Sequence, residues 1–322
     1  MTETLASYSV IAVYSAMAIY VLAFLLFTVD LSRRTAAVPV AAAGAVVGAG
    51  AVVGAGRGYT TVLEADAPAE PARKTPRYLR AAMALTVIAW LLHVSAVLLR
   101  GFAAGRVPWA NMFEFTLTAT AIIVGVFLAV QFWQDLRFIG AFVTGFALVA
   151  LGVATVNFYV DVVPLPPALQ SYWLVIHVFV ASLATAFFAI GAALSVVQLL
   201  QARREAGKAQ GLRFLDRVPD ADKLETLAYR VIVIGFVFWT FTLIAGAIWA
   251  ERAWGRYWGW DTKEVWTFII WTIFAGYIHA RATRGWRGSR SAWLAIVGFS
   301  AVLFNFTIVN LFFKGLHAYS GL

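Results

Sequence analysis

Long apolar stretches along this chain are separated by short polar ones. Residues 8–29, 113–131 and 291–313 carry almost no charge over about 20 positions, the length an α-helix needs to cross a bilayer. Taken together, the runs predict spans at roughly 8–29, 80–100, 112–132, 138–158, 171–201, 228–250, 265–281 and 291–313. The expected fold is all-α: a polytopic transmembrane helical bundle of about eight spans. Asp30, Arg33 and Arg34 stop the first span. Nothing basic precedes its apolar run, so Met1–Val10 does not read as a cleaved signal peptide. Residues 36–56 hold Ala, Val, Pro39 and five Gly, without Leu, Ile or Phe. Their length allows a span, but Ala and Gly add little insertion energy. We read them as linker, continuous with the Pro-rich and charged stretch Glu64–Arg80. The organisation is then a first transmembrane helix (1–30), a cytoplasmic linker (31–79) and a larger transmembrane domain (80–322).

Composition supports a lipid environment. Of the 322 residues, 62% are hydrophobic and 13% charged, against about a quarter charged in ordinary soluble domains. That excludes a disordered chain and argues against a soluble enzyme. The net charge of +9 comes from 25 Lys+Arg and 16 Asp+Glu. In a membrane protein such an excess marks cytoplasmic loops, so no nucleic-acid partner is inferred. With the first loop placed in the cytoplasm, the inner segments and the span ends bordering them hold nineteen basic residues, and the outer ones six. Both termini and the loop 251–264 then fall on the extracytoplasmic face of a multi-pass protein in the cell (plasma) membrane.

Cysteine is absent, so any thiol chemistry must come from a partner. His93, His177, His279 and His317 are the available imidazoles. The span boundaries put His177 about 9 Å below the outer end of its helix, at 1.5 Å per residue. His93 lies at a similar depth, His317 at the outer surface, and His279 about 22 Å below the outer end of its own helix. No Walker-type phosphate loop is present.

Six of the thirteen tryptophans lie between Trp249 and Trp271. An aromatic belt would spread Trp over every helix end. Here Trp254, Trp258 and Trp260 crowd one outer loop, with Gly255 and Gly259 allowing close backbone approach. A flat, apolar, polarisable ligand suits such a surface; a belt, a lipid site or a quinone site are the alternatives. Asp261 and Glu264, three apart at a helix start, fit helix capping and the helix dipole. Arg252, Arg256, Lys263 and Lys314, and from another loop Arg100 and Arg106, could meet propionates or lipid phosphate. His177 and His317 share the level of the tryptophan loop, and two neutral imidazoles form a standard axial ligation for haem iron.

The string Trp254-Gly-Arg-Tyr-Trp258-Gly-Trp260-Asp261-Thr-Lys263-Glu264 resembles the tryptophan-rich WWD signature of the CcsA/ResC cytochrome c biogenesis proteins, also named CcsB. Pro167 through His177 to Val178 resembles the family segment with its first external histidine. Trp271 through His279 to Arg281 resembles its transmembrane-histidine helix, and Gly315-Leu-His317-Ala-Tyr319 its C-terminal external histidine. Arg100, Gly105, Pro108, Asn111 and Glu114 match an earlier loop. The resemblance covers most of residues 80–322, which it marks as a WWD-type haem-handling domain. It implies the haem-handling half of a system II cytochrome c synthase, working with a ResB-like membrane partner. Haem b would move from the cytoplasmic side to the outer site. There the Cys-x-x-Cys-His thiols of apocytochrome c would add to its vinyl groups, an activity of the complex. By the same resemblance His177 and His317 are the external axial ligands, and His279 is one ligand of a deeper haem whose second histidine comes from the partner. Thr262 stands where the family often has Pro. His93 matches no family ligand and reads as a packing residue. Competing readings are a CcmC-like haem exporter feeding a chaperone and a respiratory subunit with b-type haems, although the latter usually pairs its histidines on the same helices.

Overall fold

The computed structural model of the chain describes residues 2–33, 77–163, 165, 170–209, 211–212, 215–216, 218–283 and 285–317. The segment 36–56, most of the linker 31–79, Pro167 and Tyr319 lie outside the described residues. The protein is all-helical among the described residues. Its elements are α1 (Thr2–Arg33), α2 (Arg77–Ala104), α3 (Met112–Val130), α4 (Gly140–Asn157), α5 (Tyr172–Glu205), α6 (Ala221–Trp254), α7 (Thr262–Thr283), α8 (Ser289–Phe306) and the short α9 (Ile308–Phe312). Seven of these are long and apolar enough to cross a membrane, the last spanning Ser289–Phe312. The eighth long helix, α7, is diluted by Thr, Lys263, Glu264, His279 and Arg281.

The bundle is built from antiparallel pairs held by small residues. Helices α1 and α2 meet along buried Ala16, Ala23, Ala82, Ala89 and Ala96, since lipid tails give apolar helices no reason to associate except close packing and polar contacts. Ser9 Oγ donates to the Ala96 carbonyl across that seam at 2.8 Å. Helix α4 covers one side of α1, α3 joins α2 and α4 to α5, and the long α5–α6 pair carries α7 and α8 on its other flank.

Helix starts follow capping chemistry. Asn111 Oδ1 accepts the Glu114 N–H at 2.9 Å to begin α3, and Asp220 Oδ1 accepts the Lys223 N–H at 2.7 Å to begin α6. Each satisfies one of the donors that a helix start leaves open. One turn into α6, Glu225 accepts from Arg281 Nη1 at 2.5 Å, the Gly288 N–H at 2.7 Å and Ser291 Oγ at 3.2 Å. One buried carboxylate thus ties α6 to α7, to the turn after it and to α8.

The last apolar run, expected as one helix over 291–313, is broken at Thr307. Its backbone sits at φ −94°, ψ −73°, and its hydroxyl donates back to the Leu303 carbonyl at 2.7 Å. A threonine hydroxyl competing for the preceding turn bends a helix. The break lets residues 313–317 turn back over the start of α7, which forms the site below.

Candidate functional site

Three segments meet at one end of the bundle: the upper part of the α5–α6 pair, the tryptophan loop 255–261 leading into α7, and the turn after α9. On α6, Thr242, Gly246 and Trp249 stand four and three residues apart and so share one helix face. His177 of α5 packs on that face. Its ring lies 5.8 Å from the Trp249 ring, at 16° to it. A Cβ on Gly246 would sit 2.7 Å from His177 Cε1, closer than carbon atoms approach, so glycine is required for the imidazole to lie there.

The Trp249 indole, 2% exposed, also touches His317 from the turn after α9, with ring centroids 5.5 Å apart at 65°. Trp254 closes the group, 4.7 Å from Trp249 and 4.8 Å from His317. Both imidazoles line the same cavity of about 200 Å³, which runs from them between α3, α4, α5 and α8. Most of its wall is apolar, including Phe115, Ile123, Phe146, Leu174 and Val302.

Hydrogen bonding fixes which nitrogen of each histidine is available. His177 Nδ1 is 3.0 Å from the Thr242 carbonyl oxygen. A carbonyl only accepts, so Nδ1 carries the proton and Nε2 keeps its lone pair. His317 Nδ1 is 3.2 Å from Asp261 Oδ1, again directing the lone pair to Nε2. An imidazole whose other nitrogen donates to a carbonyl or carboxylate is the arrangement that orients a metal ligand. His93 differs on both counts. Its Nε2 is 2.8 Å from the Leu117 carbonyl and its Nδ1 3.4 Å from the Tyr20 hydroxyl, so both nitrogens are used within the α1–α2–α3 core, where the ring is fully buried.

Asp261 and Glu264 hold the loop to the helix. Glu264 Oε2 accepts the N–H groups of Gly259 at 2.8 Å and Asp261 at 3.0 Å, while Asp261 Oδ1 accepts that of Lys263 at 2.8 Å. This reciprocal arrangement is a capping box. Asp261 Oδ2 also accepts the Leu316 N–H at 2.7 Å. Gly315 permits that approach, because a Cβ there would collide with the same oxygen. The hydrogen bond from His317, then the N–H groups of Lys263 and Leu316, hold the Asp261 carboxyl well below the usual carboxylate range.

The remaining site candidates spread out. Trp258 lines a smaller adjoining cavity of about 70 Å³ with Glu264, Lys263, His177 and His317. Trp260 packs edge-on against Trp258 at 5.9 Å and is 77% exposed. Its φ of +58° is a left-handed conformation that an aromatic residue rarely adopts. His279 lies at the far end of α7, exposed, with Phe268, Thr272 and Gly276 in line on the same exposed face. Arg252 stacks over the Tyr172 ring at 5.8 Å. Arg100 and Arg106 both pair with Glu114, at 3.0 and 2.7 Å.

Sequence reasoning missed Thr242, Gly246 and the inward reach of Lys263, whose ammonium contacts Asn310 and lines both cavities. The Thr242–Gly246–Trp249 spacing is a helical-face signal that could have found the first two. Chemically, the site offers two lone-pair nitrogens, an indole wall and an apolar chamber. Among the described residues no cluster of three or more His, Asp or Glu could hold a bare metal ion. Two imidazole nitrogens beside an aromatic wall are a donor set that suits iron carried in a planar ligand.

A family model described as "Cytochrome C assembly protein" matches residues 9–317. The cytochrome c biogenesis protein CcsA of Trieres chinensis is 35% identical over 252 residues, covering 69% of this chain and 81% of its own. CcsA of Guillardia theta is 34% identical over 254 residues, covering 74% and 84%. A solved structure of the cytochrome c heme lyase CcmF has a TM-score of 0.63 at 17% identity. It covers 98% of this chain, which spans 48% of that longer protein, and the likeness is one of fold.

Proposed function

Since this chain belongs to the cytochrome c assembly protein family and works in cytochrome c biogenesis, we propose that it binds haem b between His177 and His317 and presents it for attachment to apocytochrome c. The observation that carries this reading is the pair of imidazoles against Trp249. Each commits Nδ1 to an acceptor and keeps Nε2 free, at the mouth of one apolar chamber.

Haem supplies the vinyl groups, across which the two thiols of a Cys-x-x-Cys-His segment add, each S–H giving one new C–S and one new C–H bond with no change of oxidation state. The chain has no cysteine of its own to compete for them. Its contribution is placement: the imidazoles hold the ring, and the Trp254–Trp258–Trp260 loop covers it on the outer face. Bringing the two partners together in one orientation removes much of the entropic barrier to such an addition.

His279 belongs to a second, deeper step. An exposed imidazole within a membrane span is costly unless it meets a partner or a ligand. The stripe Phe268–Thr272–Gly276–His279 is read as the face that meets a ResB-like membrane partner, which supplies a second histidine to a haem on its way outward.

The test is haem spectroscopy of the chain purified with its partner. The wild type should show the Soret and alpha bands of low-spin haem. His177→Ala and His317→Ala should each lose the external haem, His279→Ala the deeper one, and His93→Ala neither. Unchanged spectra in both external-histidine variants would refute the assignment.

A further inference from the structure

The chamber carries polar groups besides the imidazoles. Trp109 and Asn111, at the start of α3, line the same cavity as His177 and His317. Trp109 Nε1 and Asn111 Nδ2 are both buried and, among the described residues, without a hydrogen-bond partner. Asn111 is 4% exposed. Its amide orientation is set by chemistry: Oδ1 takes the Glu114 N–H at 2.9 Å, and the flipped amide would press a donor against a donor. The NH₂ group must therefore point elsewhere. A buried donor left unpaired is destabilising and calls for an explanation.

The surrounding charge has the same sense. Glu114 is shared by two guanidiniums, through Arg100 Nε at 3.0 Å and Arg106 Nη1 at 2.7 Å. Two positive charges thus face one negative charge. Arg100 Nη1 and Arg106 Nε are also buried and, among the described residues, without partners. Among the described residues, every buried unpaired atom of Arg100, Arg106, Trp109 and Asn111 is a donor, and the charge of Arg100, Arg106 and Glu114 together is positive. The matching ligand group is an anion with acceptor oxygens.

We propose that the start of α3 is a carboxylate-binding subsite, in which the Trp109 indole N–H and the Asn111 amide N–H receive one propionate of the porphyrin. The inference rests on the reading that haem occupies the chamber. It adds the in-plane orientation of the ring, which axial imidazoles leave free. In protoporphyrin the propionates lie on the edge opposite the vinyl groups. Anchoring a propionate at α3 turns the vinyl edge away from α3 and fixes which edge an incoming thiol meets. The subsite is a specificity element for dicarboxylate porphyrins.

The test compares haem with iron etioporphyrin, which keeps the macrocycle and the metal but has no carboxylates. Both are titrated into the full-length purified chain and followed by Soret absorbance. Wild type should bind haem about tenfold or more tightly than iron etioporphyrin. Two variants remove the donors gently: Trp109→Phe keeps the ring, and Asn111→Asp keeps the helix cap while adding a negative charge. Each should weaken haem binding by about tenfold and leave iron etioporphyrin binding and the low-spin spectrum unchanged. Equal binding of both porphyrins by wild type overturns the subsite while leaving bis-histidine binding intact, and so does equal weakening of both by the variants. A wild-type chain with no low-spin haem spectrum overturns the occupant and the subsite together.

Discussion

Asp261 is the residue on which the tryptophan-loop site turns. It caps α7, receives the turn after α9 through Leu316, and orients His317. Replacing it with Asn keeps the size but removes the charge and turns one of the two accepting oxygens into a donor facing an N–H group. With haem bound, the loss of a carboxylate behind a ligating imidazole makes that ligand less basic. Asp261→Asn should weaken haem binding by about 10–100-fold and raise the midpoint potential in a redox titration. The same carboxylate sets an acid sensitivity. Its pKa is depressed in the folded protein, so on acidification the unfolded chain takes up the proton first, and stability falls as pH drops below about 4. At neutral pH the wild type should exceed Asp261→Asn in thermal stability, and the margin should shrink as the pH falls below about 4. Gly246 gives a steric counterpart. Gly246→Ala places a methyl against His177. Overpacking of this kind costs about 1–3 kcal/mol, and the expected readout is loss of the His177-dependent haem signal with the fold retained.

Among the elements, α7 depends most on polar anchoring. Its start is held by the capping box of Asp261 and Glu264, and its other end by Arg281 on Glu225. The Arg281 guanidinium also lies 4.5 Å from the Tyr229 ring centroid. The buried carboxylate serves three elements, so Glu225→Ala strands an arginine and frees the turn before α8. Removing one partner of a buried pair costs about 3–5 kcal/mol, measurable as a lower denaturation midpoint in detergent. The variant should also lose any His279-dependent haem before it loses the outer one, because Arg281 lies two residues beyond His279. Little of this was legible beforehand. The Asp261-x-x-Glu264 spacing announces a cap, since capping is local. That Glu225 would reach Arg281, Gly288 and Ser291, residues far along the chain, is decided by how the helices pack, and periodicity carries no trace of it. The break at Thr307 was hidden for a related reason: an apolar run of 23 positions from 291 to 313 reads as one span, and a hydroxyl bonding to its own helix leaves the hydropathy unchanged.

For the whole molecule, the hydrophobic runs predict the helices well because lipid forbids unpaired backbone and so ties apolar length to helix length. The tryptophan-loop site was partly legible for a different reason. Tryptophan and histidine are rare enough that six Trp in 23 positions and four His in the chain stand out, whereas Thr242 contributes only a backbone carbonyl and Gly246 only an absence of side chain. From the asymmetry of basic residues we propose that the tryptophan loop faces outward, and a chain without cysteine lends itself to the check. A cysteine introduced at Tyr257 should react with a membrane-impermeant maleimide added to intact cells, and one at Lys208 should react only after permeabilisation; the reverse pattern would invert the topology. The clasp between Asp261 and the turn after α9 joins positions 55 and 56 residues apart, and this separation sets an order of events during synthesis. A nascent polypeptide halted after α7 already carries His177, the tryptophans and the capping carboxylate, yet it lacks the second imidazole. On the proposed ligation, both imidazoles would be in place only once α8 and the turn after α9 have been made, so haem could lodge only after α8 has entered the bilayer.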